Sequence, residues 1–291
     1  KMISVIIPFY KGNKFINRVI KNIKENQNEL YLYNQEKMEV IIINDSPGTP
    51  VKIDGNLKKD MPIKIYTNDQ NYGIQISRIN GIKHSSGEYI LLLDQDDILL
   101  PYAIKSQRMK IKDADVIISN GFKEAYSNGK IIRKDIYTYR YPILFLRNIY
   151  TYLLATNPIV SPGQALIKRI SIPNEWLNNP IKNNGSDDLL LWILMIAKRK
   201  SIKYNDEKIY IHSETGSNLS SQYDKMLVSD FSVYETIKNM NILSSYQMDS
   251  LKRSIIFKGK MLQLTSFNIP YCFKNIDIIL FRTVYKLFKL M

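Results

Sequence analysis

Cysteine is all but missing from this chain. Cys272 stands alone among 291 residues, which excludes an internal disulfide framework and predicts a reducing compartment, most simply the cytoplasm. Histidine is nearly as scarce, with only His84 and His212 present. No run of eighteen or more apolar residues suggests a membrane span, and the stretch Ile3–Pro8 is too short for a secretory leader. Neither Gly-x-Gly-x-x-Gly nor Gly-x-x-x-x-Gly-Lys-Ser/Thr occurs, so the two commonest glycine-based nucleotide modes are excluded. Acidic residues are outnumbered, 27 against 41 Lys and Arg, for a formal net charge of +14. Such an excess attracts polyanions of any kind, whether nucleic acid, anionic lipid or phosphorylated small molecules, and does not choose between them.

What is present reads as a globular protein. Hydrophobic residues make up 45% and charged residues 23%, which argues against disorder, and the length allows one large domain or two unequal ones. Short Ile- and Val-rich runs alternate with helical periodicity. Strands are expected at Ile3–Ile7, Met38–Ile43, Ile63–Tyr66, Tyr89–Leu93 and Asp115–Ile118. Helices follow through Phe15, Val19, Ile20 and Ile23, and over Gly73–Lys83. This alternation predicts an α/β fold with a mostly parallel sheet and helices on both faces. Ligands in such sheets collect beyond the carboxyl ends of the strands, and here those ends carry Pro8-Phe9-Tyr10, Asn44-Asp45, Asn68 and an acidic cluster. The cluster is Asp94-Gln95-Asp96-Asp97, three carboxylates in four positions at the mouth of a buried strand. Carboxylates so crowded need a counter-charge. Asp94 and Asp96 sit two apart and leave extended backbone on one face, which suits a hard divalent cation such as magnesium or manganese. A plainer alternative is a solvated acidic turn with Asp96 or Asp97 as N-cap of the next helix.

The ordered set Ser4-Val5-Ile6-Ile7-Pro8-Phe9-Tyr10, Ile43-Asn44-Asp45-Ser46, Asn71-Tyr72-Gly73, Arg78-Ile79-Asn80-Gly81, Gly87-Glu88-Tyr89-Ile90 and Asp94-Gln95-Asp96-Asp97 with Pro101 resembles family 2 glycosyltransferases of the GT-A fold. That resemblance implies a Rossmann-like sheet binding a nucleotide-sugar through Pro8, Tyr10, Asp45, Asn71, Arg78, Asp94 and Gln95. Tyr10 would line the base pocket, Asp45 would accept from the uracil edge, and Arg78 would face the diphosphate or the sugar. Asp94 would contact ribose or sugar, and Asp96 would hold a divalent cation, manganese or magnesium, bridging both phosphates. The family usually has two acids where this chain has Asn44 and Asp45. Gly185-Ser186-Asp187-Asp188-Leu189-Leu190-Leu191-Trp192 resembles the family's acidic pair before a helix and makes Asp188 the catalytic base. Ser186 or Asp187 as an ordinary helix N-cap competes with that reading. His212, at the end of Ile209–Ser213, corresponds to a histidine that some relatives place near the metal; a hydrogen-bonded structural role is the alternative. His84 reads as surface.

The expected organisation is a catalytic domain over 1–216, with a nucleotide-sugar half at 1–101 and an acceptor half at 102–216, then a basic helical extension at 217–291. At its end Arg282, Lys286 and Lys289 share one helical face, with Ile278, Ile279, Phe281, Tyr285 and Phe288 supplying apolar surface. Residues 276–291 are therefore expected on a membrane surface, peripheral to the inner face, or packed on the catalytic domain or a second copy in a homodimer. The implied function is inverting, metal-dependent transfer of a hexose or N-acetylhexosamine from a UDP-sugar to a glycan or lipid-linked glycan, in bacterial-type surface polysaccharide or glycoconjugate synthesis. Competing readings are an inactive relative that scaffolds an assembly and a basic nucleic-acid-binding protein. The second is opposed by carboxylates that would repel phosphate, so no nucleic-acid partner is expected.

Overall fold

The Ile/Val run near the start of the chain forms β1 (Met2–Phe9), and it is the strand around which the first sheet pairs assemble. The computed structural model describes residues 1–58, 61–127, 130–138, 141–215, 222–263 and 269–290. The chain forms two compact units: Lys1–Ile136, Ile159–Ile172 and Lys200–Ser217 make the first, and Tyr137–Pro158, Pro173–Arg199 and Asn218–Met291 the second. The boundary expected between 216 and 217 falls outside the described residues.

The first unit holds the sheet. Its strands are β1, β2 (Lys37–Asn44), β3 (Ile63–Thr67), β4 (Tyr89–Leu92), β5 (Ile98–Leu99), β6 (Val116–Ser127), β7 (Lys130–Asp135), β8 (Ala165–Lys168) and β9 (Ile202–Glu214). Their order is β3-β2-β1-β4-β8-β6-β9-β5, with β7 paired to β6. The helices of this unit are α1 (Asn13–Asn34), α2 (Ile74–His84) and α3 (Ala103–Ile111). β1 to β4 pair in parallel, as the strand–helix alternation dictates. Beyond β4 the sheet is mixed: β8 runs antiparallel to both β4 and β6, while β6 and β9 are parallel. Strands buried on both faces need apolar residues at every position, and β1, β2 and β4 supply them: Val5, Ile6, Ile7, Ile41, Ile42, Ile90 and Leu91 are all fully buried.

β6 is longer than its sequence suggests. Ser119-Asn120-Gly121 reads as a strand end, yet the strand continues to Ser127 through register shifts against β9 at Ser119/Asn120 and Asn120/Gly121. Gly121 permits this, because a Cβ there would lie 2.2 Å from the Tyr210 carbonyl oxygen. Sequence patterning sees a turn triplet; the partner strand turns it into an irregularity within one strand. α3 also departs from expectation. It begins at Ala103 after Tyr102, so neither Asp96 nor Asp97 caps it.

The second unit is helical: α4 (Pro142–Leu146), a single π turn at Thr151–Ala155, α5 (Asn174–Asn178), α6 (Asp187–Ala197), α7 (Tyr223–Lys238), α8 (Ser245–Gln263), α9 (Ile269–Lys274) and α10 (Ile276–Leu290). Leu154, Phe257 and Ile278 form a buried cluster here, flanked by Tyr150, Tyr271, Ile279 and Phe281. Thus Ile278, Ile279 and Phe281 of the C-terminal helix face protein within their own unit. Arg282 does too, donating to the Leu154 carbonyl oxygen at 2.8 Å and the Ser254 hydroxyl at 2.9 Å. The expected basic face of Arg282, Lys286 and Lys289 loses its first member, and the Lys289 side chain lies outside those described. No helix among the described residues is long and apolar enough to cross a membrane.

Candidate functional site

The ends of β1, β2 and β4 lie side by side, because the three strands are paired in register. Parallel pairing brings three sequence-distant polar turns to one edge. Each turn is tied down by side chains that the sequence singles out.

After β4, the acidic cluster is resolved one carboxylate at a time. Asp94 accepts from Arg78 of α2 at 2.5 Å, and Arg78 is only 2% exposed. Asp97, 1% exposed, accepts from the Ser161 hydroxyl at 3.1 Å, the Ser213 amide at 3.2 Å and the Tyr210 hydroxyl, and it pairs with His212 Nδ1 at 3.1 Å. Ser161 also reaches Asp94 at 3.2 Å. Asp96 differs. Its main-chain oxygen accepts from Arg18 at 2.6 Å; its carboxylate is met by its own backbone N–H and by the charge of His212, and among the described residues no side chain donates a hydrogen bond to it. Burial, together with the neighbouring charges of Asp97 and Asp94, pushes Asp96 up to about 7. Burial pulls His212 down, but the Asp97 bond and the Asp97 and Asp94 charges outweigh it and leave the imidazole above its ordinary value. The Tyr210 phenol is held well above its ordinary value by burial and by Asp97 and Asp94.

The β1 and β2 ends are fastened by Gln95 and Asp45. Gln95 Oε1 accepts from the Tyr10 amide at 3.0 Å, and its Nε2 donates to the Tyr10 carbonyl at 3.1 Å. At Gly12 a Cβ would lie 2.1 Å from Gln95 Oε1, so any side chain there would shift the end of Gln95. The Tyr10 ring itself stays 48% exposed, beyond Pro8 and with Lys11 Nζ 5.4 Å from its centroid. Asp45 Oδ1 accepts from Asn68 Nδ2 and the Tyr72 amide, each at 2.8 Å, and Oδ2 accepts from the Gly73 amide at 2.7 Å. Asn71 Oδ1 accepts from the same Gly73 amide at 3.0 Å. Asn44, at the position where the family has an acid, accepts from the Ser46 amide and hydroxyl and donates to the Thr49 carbonyl.

Asp188 belongs to the second unit. It stands in the first turn of α6, where Oδ2 accepts from Asn157 at 2.8 Å and Oδ1 from the Leu189 amide at 2.8 Å. Ser186 occupies the N-cap position, but its hydroxyl bonds Asp230 at 2.6 Å instead of a helix amide. The cap explanation for Ser186 therefore fails.

The sequence gives no ligand-facing role to Asp97 or Tyr210, and the resemblance sets Ser161 only near acceptor-side residues, although all three organise the cluster. A signal was available: Tyr210 and His212 are two apart on one strand and so share a face, and β5–β9 pairing sets Tyr210 opposite Leu99.

Among the described residues, no group of three or more His, Cys, Asp or Glu is arranged to hold a metal unaided. Donor chemistry still suits a hard cation. Magnesium sites commonly use one or two carboxylates plus substrate phosphates, and Asp96 is an oxygen donor that burial and the charges of Asp97 and Asp94 press toward protonation.

Residues 4–174 match the family model of Glycosyl transferase family 2, and the chain belongs to that family. An uncharacterised glycosyltransferase of Rickettsia conorii is 25% identical over 94% of this chain and 43% of its own length. The chain thus spans less than half of that relative. Among solved structures, S. aureus TarS 1-349 in complex with UDP-GlcNAc aligns with a TM-score of 0.58 and 16% identity, over 90% of this chain and 73% of that one. Mannosyltransferase PcManGT from Pyrobaculum calidifontis, in complex with GDP-Man and Mn2+, aligns at 0.53 and 12%, over 98% and 86%. These likenesses establish the GT-A type of fold.

Proposed function

We propose that the protein transfers a hexose or N-acetylhexosamine from a UDP-sugar to a hydroxyl of a glycan or lipid-linked glycan, with inversion at the anomeric carbon. Its setting is the synthesis of surface polysaccharide or glycoconjugate at the cytoplasmic face of a membrane. The observation that carries this reading is the unequal treatment of three carboxylates. Asp94 is answered by Arg78 and Asp97 by Ser161, Tyr210, His212 and Ser213, while Asp96 is left for a cation that arrives with its ligand.

A divalent cation bound at Asp96, with His212 as a second candidate ligand, would stabilise charge on a departing diphosphate. The chain's own residues supply the rest. Tyr10 offers an exposed ring to the base, where stacking contributes about 1–3 kcal/mol in comparable contacts. Asp45 fixes the Tyr72 and Gly73 amides, so the wall of the donor site keeps its shape. Arg78 holds Asp94 in place toward ribose or sugar. Asp188 takes the acceptor hydroxyl's proton onto a carboxylate oxygen, its orientation fixed by Asn157 and the Leu189 amide. A positioned base contributes about 10²–10⁴-fold.

Two structural neighbours that carry nucleoside-diphosphate sugars, UDP-GlcNAc in TarS and GDP-mannose with Mn2+ in PcManGT, support the donor class and a divalent cation. The test is a donor panel of UDP-glucose, UDP-galactose and their N-acetyl forms, with GDP-mannose as counter-probe, run with manganese and with chelator. Turnover of a UDP-sugar that needs metal and disappears in Asp96→Ala is expected. Asp188→Asn should keep donor affinity and lose transfer by about 10²-fold or more. Loss of donor binding in Asp188→Asn would remove it from the base role, and metal-independent turnover would overturn the reading of Asp96.

A further inference from the structure

α10 has two apolar faces, and the fold uses one of them. Ile278 is 0% exposed, and Tyr285 is buried with the Phe145 ring set edge-on at 5.0 Å. The opposite face is a row: Ile276, Leu280, Val284 and Leu287, at spacings of four, four and three, all exposed, with Leu280 at 57% and Leu287 at 54%. Helical residues so spaced lie along one side. Phe273, the penultimate residue of α9, is 70% exposed just before it.

The surroundings of the row are cationic. Residues 249–291 contain eight Lys and Arg and two acids, Asp249 and Asp277. Both acids are taken by Arg253, which bonds Asp249 at 2.9 Å and Asp277 at 2.5 Å. No acid of this segment remains to neutralise the exposed Lys274 and Lys286.

We infer that the exposed row of α10 docks on an anionic lipid surface, the helix lying in the plane of the headgroup–acyl boundary. At 15 residues the helix is about 22 Å long, short of the roughly 30 Å hydrocarbon core, so it lies on the surface and does not span. Apolar side chains in a row with lysines beside them match what an in-plane helix needs: apolar area to sink and cations for anionic headgroups. This surface differs from the one expected from sequence, because Ile278, Ile279, Phe281 and Arg282 are turned to protein. The inference uses neither the donor nor the carboxylate cluster, so it stands or falls apart from the transferase reading.

The test is co-sedimentation of the 291-residue chain with vesicles of phosphatidylglycerol and phosphatidylcholine, against phosphatidylcholine alone, without donor or metal. Binding to the anionic vesicles is expected, weakening as salt is raised. It should fall about tenfold or more in Leu280→Asp/Leu287→Asp and by a smaller factor in Leu280→Ala/Leu287→Ala. Lys274→Gln/Lys286→Gln should lose the preference for anionic lipid. Circular dichroism melts confirm that each variant is folded. Failure of the wild-type chain to sediment with either vesicle overturns the inference, as does unchanged binding in the Leu280→Asp/Leu287→Asp variant. A wild-type dimer in sedimentation velocity that this variant dissolves, with no vesicle binding, assigns the row to a second copy instead.

Discussion

Among the described residues no lysine or arginine pairs with Asp97, yet it is 1% exposed. Its carboxylate is met by the Ser161 and Tyr210 hydroxyls, the Ser213 amide and His212. Charge-assisted bonds of this kind are the strong ones, and removing the acceptor strands its donors. Asp97→Asn is expected to cost about 3 kcal/mol in urea denaturation, whereas Asp94→Asn, half-buried, should cost less. Glu39 gives a pH-dependent counterpart away from the site. Burial alone would raise its pKa. Bonds from the Ser86 amide at 2.6 Å, the Ser4 and Ser86 hydroxyls at 2.8 Å each and Lys64 at 3.2 Å outweigh burial and hold the pKa at about 2. A carboxylate depressed in the folded state stabilises above its unfolded value of 4.5, and that stabilisation is lost as pH falls towards 2. Glu39→Gln should therefore cost about 2 kcal/mol at pH 7, with the difference from wild type vanishing near pH 2 in denaturation series.

The elements that sequence patterning located best are those whose burial is two-sided. β1, β2 and β4 announce themselves as continuous Ile, Val and Leu runs, because both faces of a central parallel strand must be apolar. β6 and β9 were found only in part. Their outer halves mix Lys, Asn, Asp and Glu with apolar residues, and what holds them is pairing to each other, which no local pattern encodes. Gly121 is the test of that account. Gly121→Ala puts a Cβ 2.2 Å from the Tyr210 carbonyl and should destabilise by about 2 kcal/mol, shifting the denaturation midpoint with little change in slope. It should also disturb His212, two residues on from Tyr210. Gln95 is the equivalent at the β1 end. Gln95→Ala removes both bonds to the Tyr10 backbone and should raise KM for the donor severalfold while changing kcat little, since it frees the stacking residue without touching the proposed base.

At the scale of the whole molecule the excess of positive charge is the dominant sequence fact, with a net +14. Composition alone leaves its purpose undecided. The structure distributes it: Arg78, Arg108, Arg169, Arg253 and Arg282 are engaged within the fold, while Lys274 and Lys286 stand beside the exposed row of α10. A ligand that binds only the folded chain raises its stability by about 2.7 kcal/mol at a hundred times its dissociation constant. UDP with manganese should accordingly raise the melting temperature of the wild-type chain. Manganese without UDP should do little, and in Asp96→Ala the joint effect should disappear. Differential scanning fluorimetry reads all of these.

Sequence by itself determined the parallel core, the family and the residues at the strand ends, because buried strands and tight turns leave local signatures that short motifs preserve. Only tertiary structure decided which carboxylate receives no side-chain donor among the described residues, since Arg78, Ser161, Tyr210 and His212 reach the acidic cluster from α2, the segment before β8, and β9. It also decided which side of α10 meets water: both faces are apolar in sequence, and packing on Leu154 and Phe145 chose between them.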